Sequence, residues 1–234
     1  STKKYPFMED YPTYVEDLCR AMRSLADSLS FDYELVGIGI GAPNANFHKG
    51  TIERPVNLWK YHENESDLDP SRRIFPLAQD IARYFDGTHT LITNDANAAT
   101  IGEMVYGNAK GMRDFIMITL GTGLGSGFVA NGRMIYGHDG FAGELGHVCV
   151  ERNGRECGCG RRGCLETYVS ATGIKRTVFE LMAKMIAPSK LRGTAFDDFD
   201  ASMVSVAAEQ GDPIALEAFR FTGEILGRAL ADAV

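Results

Sequence analysis

The stretch Thr119-Leu120-Gly121-Thr122-Gly123-Leu124-Gly125-Ser126-Gly127 decides how the rest of the chain is read. Phe115 to Leu120 precedes it as an apolar run that predicts a buried strand, and Phe128 to Ala130 follows as a second strand. Glycines allow a backbone to approach an anion and to turn several N–H groups toward it. Thr119 and Thr122 add hydroxyl donors. The Walker pattern is absent, because no Gly-Lys-Ser/Thr follows, and a dinucleotide fingerprint requires a helix where a strand is expected. On the residues alone, an anion cradle and a plain tight β-turn both remain open.

Downstream, Asn131-Gly132 is a strong hairpin signal before Arg133 to Tyr136. A glycine- and cysteine-rich loop then occupies about 137–164. In it, Gly143-Glu144-Leu145-Gly146-His147 precedes Cys157-Gly158-Cys159-Gly160-Arg161-Arg162-Gly163-Cys164. One imidazole and three thiolates make a tetrahedral Cys₃His set, the donor set of a closed structural zinc site. Arg155, Arg161 and Arg162 are expected to offset the excess negative charge. A disulfide or simple buried thiols are the alternatives, but Cys157 and Cys159 are poorly spaced to bond each other. Cys19 and Cys149 stand apart, in mostly apolar surroundings. The odd total of 5 cysteines does not suggest a secreted disulfide framework. Glu144 and Glu166 flank the cluster, and either could be a solvated surface acid.

Upstream, Leu35 to Ile40 predicts a strand ended by Gly41-Ala42-Pro43, and His89 to Thr93 a second strand. Asn94-Asp95-Ala96-Asn97 stands where that second strand hands over to a helix over Asp95 to Val105. The carboxyl end of a strand is where α/β folds place ligands. A carboxylate there can accept the proton of an attacking hydroxyl, but helix capping by Asp95 or Asn94 is the simpler reading by position. An amphipathic helix is expected over 13–29, from Val15, Leu18, Met22, Leu25 and Leu29, with Thr13 and Glu16 at capping-box spacing. Asn44 to about Arg72 is too long for a plain connection, so it is a binding loop or an excursion with short strands of its own. It carries Asn57 and Trp59. Further helices are expected at Pro76 to Phe85, at Leu165 to Ile186 with a break at Gly173, at Ala201 to Gln210, and from Asp212-Pro213 onward. A domain boundary is expected near 105, giving 1–104 and 105–234.

Composition sets limits. The chain has 234 residues, 24 Lys and Arg against 31 Asp and Glu, and a formal net charge of −7. That balance offers no phosphate-backbone surface, so no nucleic-acid partner is expected. Its longest apolar candidate, Phe115 to Ala130, is interrupted by four glycines, so no membrane span is expected.

Together the motifs resemble the ROK family, and within it the glucokinase-like sugar kinases. The matching pieces are Gly39-Ile40-Gly41-Ala42-Pro43, Asn94-Asp95-Ala96-Asn97, Leu120 to Gly127, Gly143 to His147, and the cysteine motif ending Gly163-Cys164-Leu165-Glu166. The resemblance implies an α/β, actin-like ATPase (ribonuclease H-like) fold of two domains, incomplete at both ends. It lacks the family's opening Asp-x-Gly-Gly-Thr hairpin and its C-terminal adenosine-side segment, so the chain alone is expected to transfer phosphate poorly. The resemblance implies that Asp95 is the general base and that Asn94, Asp95, Glu144, His147 and Glu166 bind the sugar. Gly121, Thr122 and Gly123 would hold ATP phosphates, Mg²⁺ would arrive with the nucleotide, and His147, Cys157, Cys159 and Cys164 would hold structural Zn²⁺. It further implies a cytoplasmic homodimer that phosphorylates a hexose, with glucose foremost and fructose or N-acetylmannosamine as other candidates. A sugar-sensing repressor of the same family is the alternative.

Overall fold

The computed structural model describes residues 10–53 and 74–233. Contacts divide these into two compact units. The first holds the described residues up to Phe115 together with Phe128–Ala142; the second holds Ile116–Gly127 and the residues from Gly143 onward. Asn57 and Trp59 lie outside the described residues.

The first unit opens with helix α1 (Tyr11–Asp27). Asp10 caps it, accepting from Thr13 N–H at 2.8 Å. Thr13 therefore lies inside the first turn and the expected Thr13–Glu16 capping box does not form; Glu16 instead pairs with Arg20 at 2.6 Å. Val15, Leu18 and Met22 pack on the core as the periodicity demands. Leu25 does not, being 70% exposed, and Leu29 lies beyond the helix end.

Strand β1 (Ile38–Gly41) starts later than the apolar run suggests, leaving Val36 82% exposed. The strand begins where its partner does. It pairs in parallel with β5 (Thr90–Thr93), with Ile38 opposite Thr90 and Gly41 opposite Thr93. Between them the long polar stretch proves to be an excursion with its own strands. β2 (Ala45–Asn46), β3 (Thr51–Glu53) and β4 (Ile74–Phe75) form an antiparallel sheet in that order. Helix α2 (Leu77–Tyr84) turns Leu77, Ala78 and Ile81 into a core shared with Cys19, Ile52 and Ile92. Helix α3 (Asp95–Tyr106) follows β5 directly. A Cβ at Gly41 would come within 2.9 Å of Ala98 Cβ and 3.5 Å of Asp95 Cα. Glycine at 41 is thus what allows the start of α3 to lie against the end of β1.

Asn46 is fully buried and joins two loops of this unit. Its Nδ2 donates to Glu53 Oε1 at 3.0 Å and to the Asp139 carbonyl at 2.8 Å, while its Oδ1 accepts from His48 N–H at 3.1 Å. A buried amide that uses donors and acceptor together satisfies the general demand that buried polar groups be bonded. Phe47 stacks on Tyr136 with centroids 4.1 Å apart. The hairpin at Asn131-Gly132 forms as expected. Both residues have positive φ, 53° and 73°, the signature of a type I′ turn, and Val129 pairs with Met134. Strand β8 is short (Arg133–Met134) and stops before Tyr136.

Strand β6 (Phe115–Leu120), which belongs to the second unit from Ile116 on, is half-buried along most of its length, not buried as its composition implied. β7 (Leu124–Ala130) starts inside the glycine-rich stretch, so the turn proper is Gly121–Gly123. The expected helix over 165–186 is two helices, α4 (Glu166–Val169) and α5 (Ala171–Lys184). The break falls at Ser170, whose Oγ accepts from Gly173 N–H at 3.1 Å and caps α5. Gly173 serves the same junction differently: a Cβ there would come within 2.6 Å of the Tyr168 backbone. Helix α6 (Ala201–Glu209) and helix α7 (Pro213–Ala233) complete the unit around Val178, Leu191, Val204, Ile214 and Ala218. Asp212 caps α7 as anticipated, accepting from Ile214 N–H at 3.0 Å and Ala215 N–H at 3.1 Å.

Candidate active site and metal centre

The cysteine loop turns tightly on itself. Cys157 N–H donates to the Arg161 carbonyl at 2.9 Å, and Gly160 makes the turn with a φ of 85°. Gly163 has a φ of 73°, and any Cβ there would overlap the Glu151 carbonyl. These constraints bring one donor atom each from His147, Cys157, Cys159 and Cys164 within 4.8 Å of one another. Cys159 Sγ lies 3.7 Å from Cys164 Sγ, and Cys157 Sγ lies 3.7 Å from His147 Nδ1. Zinc–sulfur bonds of about 2.3 Å in a tetrahedron require donors separated by roughly this distance. The donor set therefore fits a divalent ion and is compatible with zinc.

Burial raises the Cys157 and Cys164 thiols above their ordinary range. Burial acts on Cys159 in the same direction, but hydrogen bonds from the backbone and side chain of Arg161 outweigh it and lower that thiol to about 6. Of the three arginines expected to offset thiolate charge, only Arg161 does so. Arg162 pairs with Glu156. Arg155 turns the other way, into the helices. Its Nη1 donates to the Thr167 and Gly173 carbonyls at 2.8 and 3.0 Å, its Nη2 to Thr177 Oγ1 at 2.9 Å, and its guanidinium lies 4.6 Å from the Tyr168 ring centre. The planar five-donor fork suits such divided bonding. Cys149 is exposed, contrary to the apolar setting expected for it, whereas Cys19 is buried.

Glu166 stands between this centre and the glycine turn. Its Oε1 lies 3.0 Å from Cys157 Sγ and 3.7 Å from His147 Nδ1. Its Oε2 accepts from Leu124 N–H at 3.3 Å, and a Cβ on Gly123 would come within 2.8 Å of that oxygen. The turn is also held from behind: Ala171 N–H donates to the Gly121 carbonyl at 2.9 Å and Thr172 Oγ1 to the Thr122 carbonyl at 3.2 Å. Gly121 and Thr122 are exposed.

Ser126 is a positioning residue that motif reading passed over as part of the glycine run. It is buried, its hydroxyl donates to the Gly143 carbonyl, and it accepts from Leu145 N–H at 3.0 Å. Both neighbours of exposed Glu144 are thus tied to one side chain. Gly146 belongs to the same arrangement, since a Cβ would come within 2.4 Å of the Leu124 carbonyl. The only sequence signal was a hydroxyl residue at a strand position facing inward.

In the first unit, Asn94 and Asp95 lie together at the carboxyl end of β5. Asn94 is the cap, accepting from Ala96 N–H through Oδ1 at 2.8 Å. Asp95 is the first helical residue and is exposed. Its Oδ1 also lies 3.0 Å from Ala96 N. The structure therefore groups His147, the three cysteines, Glu166 and Gly123 in one unit, and Asn94 with Asp95 in the other.

A strand-to-helix junction bearing a carboxylate, a braced glycine turn and a Cys₃His cluster are set on an α/β framework. The chain belongs to the ROK family, whose match runs over residues 6–234. It is 36% identical over 218 residues to a glucokinase of Thermotoga maritima, covering 92% of this chain and 65% of that protein. It is 33% identical over 147 residues to a xylose repressor of Bacillus subtilis, covering 62% of this chain and 35% of that protein. Among solved structures, it is similar to a ROK family glucokinase from Streptomyces griseus in complex with glucose and AMPPNP. That match has a TM-score of 0.68 and 29% identity, and it covers 93% of this chain and 67% of the other. The fold is the actin-like α/β fold of these kinases. The chain thus spans about two-thirds of the length of the glucokinases it matches. Among the described residues no helix is long and apolar enough to cross a membrane.

Proposed function

We propose that this chain carries the sugar- and phosphate-handling groups of an ATP-dependent hexose kinase that acts on glucose. The observation that carries this reading is the exposed Asp95 carboxylate at the β5–α3 junction, where Asn94 Oδ1 and Asp95 Oδ1 share the Ala96 N–H at 2.8 and 3.0 Å and the second Asp95 oxygen stays available, in a chain 36% identical to a glucokinase. In this reading Asp95 withdraws the proton of the attacking sugar hydroxyl, whose oxygen bonds to the γ-phosphorus of ATP as ADP departs. The Asn94 amide nitrogen, Glu144, Glu166 and the Nε2 side of His147 bond the other hydroxyls. Backbone groups of Gly121, Thr122 and Gly123 hold the phosphates. Positioning and charge neutralisation supply most of the catalysis in phosphoryl transfer.

Magnesium bound with the nucleotide supplies neutralisation of phosphate charge, and zinc at His147, Cys157, Cys159 and Cys164 supplies rigidity. With Nδ1 of His147 turned to the cysteines, the ring's orientation and tautomer become fixed, as second-shell contacts fix metal-bound histidines generally. A cytoplasmic homodimer is part of the same proposal. The test is ADP production by the protein against glucose, fructose and N-acetylmannosamine, with bound metal measured by elemental analysis. Glucose-dependent ADP release supports the reading. The 33% identity to a xylose repressor favours a second reading, a sugar-sensing regulator. Sugar binding by calorimetry with no ADP release from any sugar, measured on a protein that also carries the family's opening Asp-x-Gly-Gly-Thr hairpin, would favour it.

A further inference from the structure

Cys149 is outside the ligand set, yet the backbone sets it directly opposite one of the ligands. Val150 N–H donates to the Gly163 carbonyl at 2.8 Å and Leu165 N–H to the Val148 carbonyl at 2.9 Å. Between these two bonds Cys149 and Cys164 form an antiparallel bridge. That is the non-hydrogen-bonded type of pair, whose Cα atoms lie about 4.5 Å apart with side chains on one face. Disulfides span Cα separations of about 4.4–6.8 Å, so the register brings the two backbones within that range. Access differs sharply between the two. Cys164 is 1% exposed, whereas Cys149 is exposed and is the one exposed cysteine not committed to the Cys₃His set.

We propose that Cys149 and Cys164 are a thiol–disulfide exchange site, at which a small-molecule disulfide of the glutathione type converts the pair into a cross-strand disulfide and withdraws Cys164 from the metal. The Cys149 sulfur attacks one sulfur of the small disulfide, forming a mixed disulfide and expelling one small thiol. The Cys164 sulfur then attacks the Cys149 sulfur and expels the second. The two protein thiols lose two protons and two electrons, and the small disulfide is reduced to two thiols. Exchange of this kind proceeds through such a mixed intermediate, and access to the attacked sulfur governs its rate. Once Cys164 is bonded to Cys149, only His147, Cys157 and Cys159 face the metal, too few for a closed tetrahedral site. A dithiol reductant reverses the change.

This consequence for the metal rests on the zinc reading above; the disulfide itself does not. The experiment exposes the zinc-loaded protein, and its Cys149→Ser variant, to oxidised glutathione. Metal release is followed with a chromophoric chelator, and cross-links are mapped after alkylation and non-reducing tryptic digestion. Trypsin separates the thiols cleanly, because Cys149 lies in residues 134–152, Cys157 and Cys159 in 156–161, and Cys164 in 163–175. The expected result is a 134–152 to 163–175 link accompanied by metal release, with both lost in Cys149→Ser. A 156–161 to 163–175 link in its place overturns the proposal. So does Cys149 recovered only as its glutathione adduct, or metal release that is equally fast in the variant. A protein that binds no zinc but forms the Cys149–Cys164 link overturns the zinc reading and leaves the exchange site standing.

Discussion

The Oε2 oxygen of Glu166 accepts the backbone N–H of Leu124 at 3.3 Å. Its other oxygen lies 3.0 Å from Cys157 Sγ. One carboxylate therefore touches both the cysteine centre and the residue that closes the glycine turn. Gly123 leaves the room for it, since a Cβ there would come within 2.8 Å of Oε2. The atom in the way is the end of a flexible side chain, so Gly123→Ala should fold and lose little stability. It should displace Glu166 and weaken sugar binding. Melting temperature and sugar affinity by calorimetry, measured together, check this; an unchanged affinity would count against a sugar-binding Glu166.

Asp95 and Asn94 should separate cleanly by mutation. Asp95→Asn keeps the shape of an exposed first-turn residue and removes the base. General-base loss typically costs about 10²–10⁴-fold in rate, so kcat should fall by that order with the sugar KM nearly unchanged. Asn94→Ala removes the cap, which should cost about 1 kcal/mol in stability, and also the proposed amide contact to the sugar, so the sugar KM should rise. Steady-state kinetics and urea unfolding on both variants make the comparison.

Asp212 predicts an acid limb in stability. Burial acts to raise its carboxyl, but hydrogen bonds from Ser189 and from the Ala215, Lys190 and Ile214 N–H groups outweigh it and hold the group below the usual carboxylate range. A folded-state value below the unfolded value of about 3.9 means the stabilisation is complete above that pH and is lost as pH falls through the folded-state value. Asp212→Asn should therefore be less stable than the parent at neutral pH, and the gap should close in acid. Denaturant titrations at neutral pH and at about pH 3, below the unfolded value, test the sign.

Arg155 should be the costliest arginine in the loop. Removing it leaves the buried Thr167 carbonyl without its guanidinium donor, while the Gly173 carbonyl still accepts from Thr177 Oγ1 at 3.0 Å. Unsatisfied buried groups cost about 1–3 kcal/mol each. Arg155→Ala should thus lose about 1–3 kcal/mol for the one carbonyl left unsatisfied, and Arg155→Lys should recover only part, having no fork. Arg162→Ala, which removes an exposed ion pair with Glu156, should barely move the melting temperature.

What could be read from the sequence was whatever a local rule dictates. Asn131-Gly132 requires positive φ and delivers a hairpin; Asp212-Pro213 caps and starts a helix. The cysteine spacing converges because its glycines permit tight turns. Other features depended on partners remote in sequence. Leu35 and Val36 have strand composition, but β1 begins only where β5 supplies bonds. The break before α5 lies at Ser170, since a capping hydroxyl sets the new helix direction and Gly173 merely clears space. Ser126 could not be recognised as the tie on Gly143 and Leu145 until the chain had folded back 17 and 19 residues later. Arg155 looked like a counter-charge for thiolates because proximity in sequence says nothing about which way a long side chain points.

The missing side chain at Gly41 fixes how tolerant the Asp95 junction can be. Helix α3 rests there with the Ala98 methyl against the bare Gly41 backbone, and a Cβ at 41 would come within 2.9 Å of that methyl. Van der Waals repulsion is steep, so the seat behaves as a hard stop and not as a cushion. Even one added carbon at position 41 must shift the helix, and if Asp95 is the base proposed above, displacing it by about 1 Å costs on the order of a hundredfold in rate.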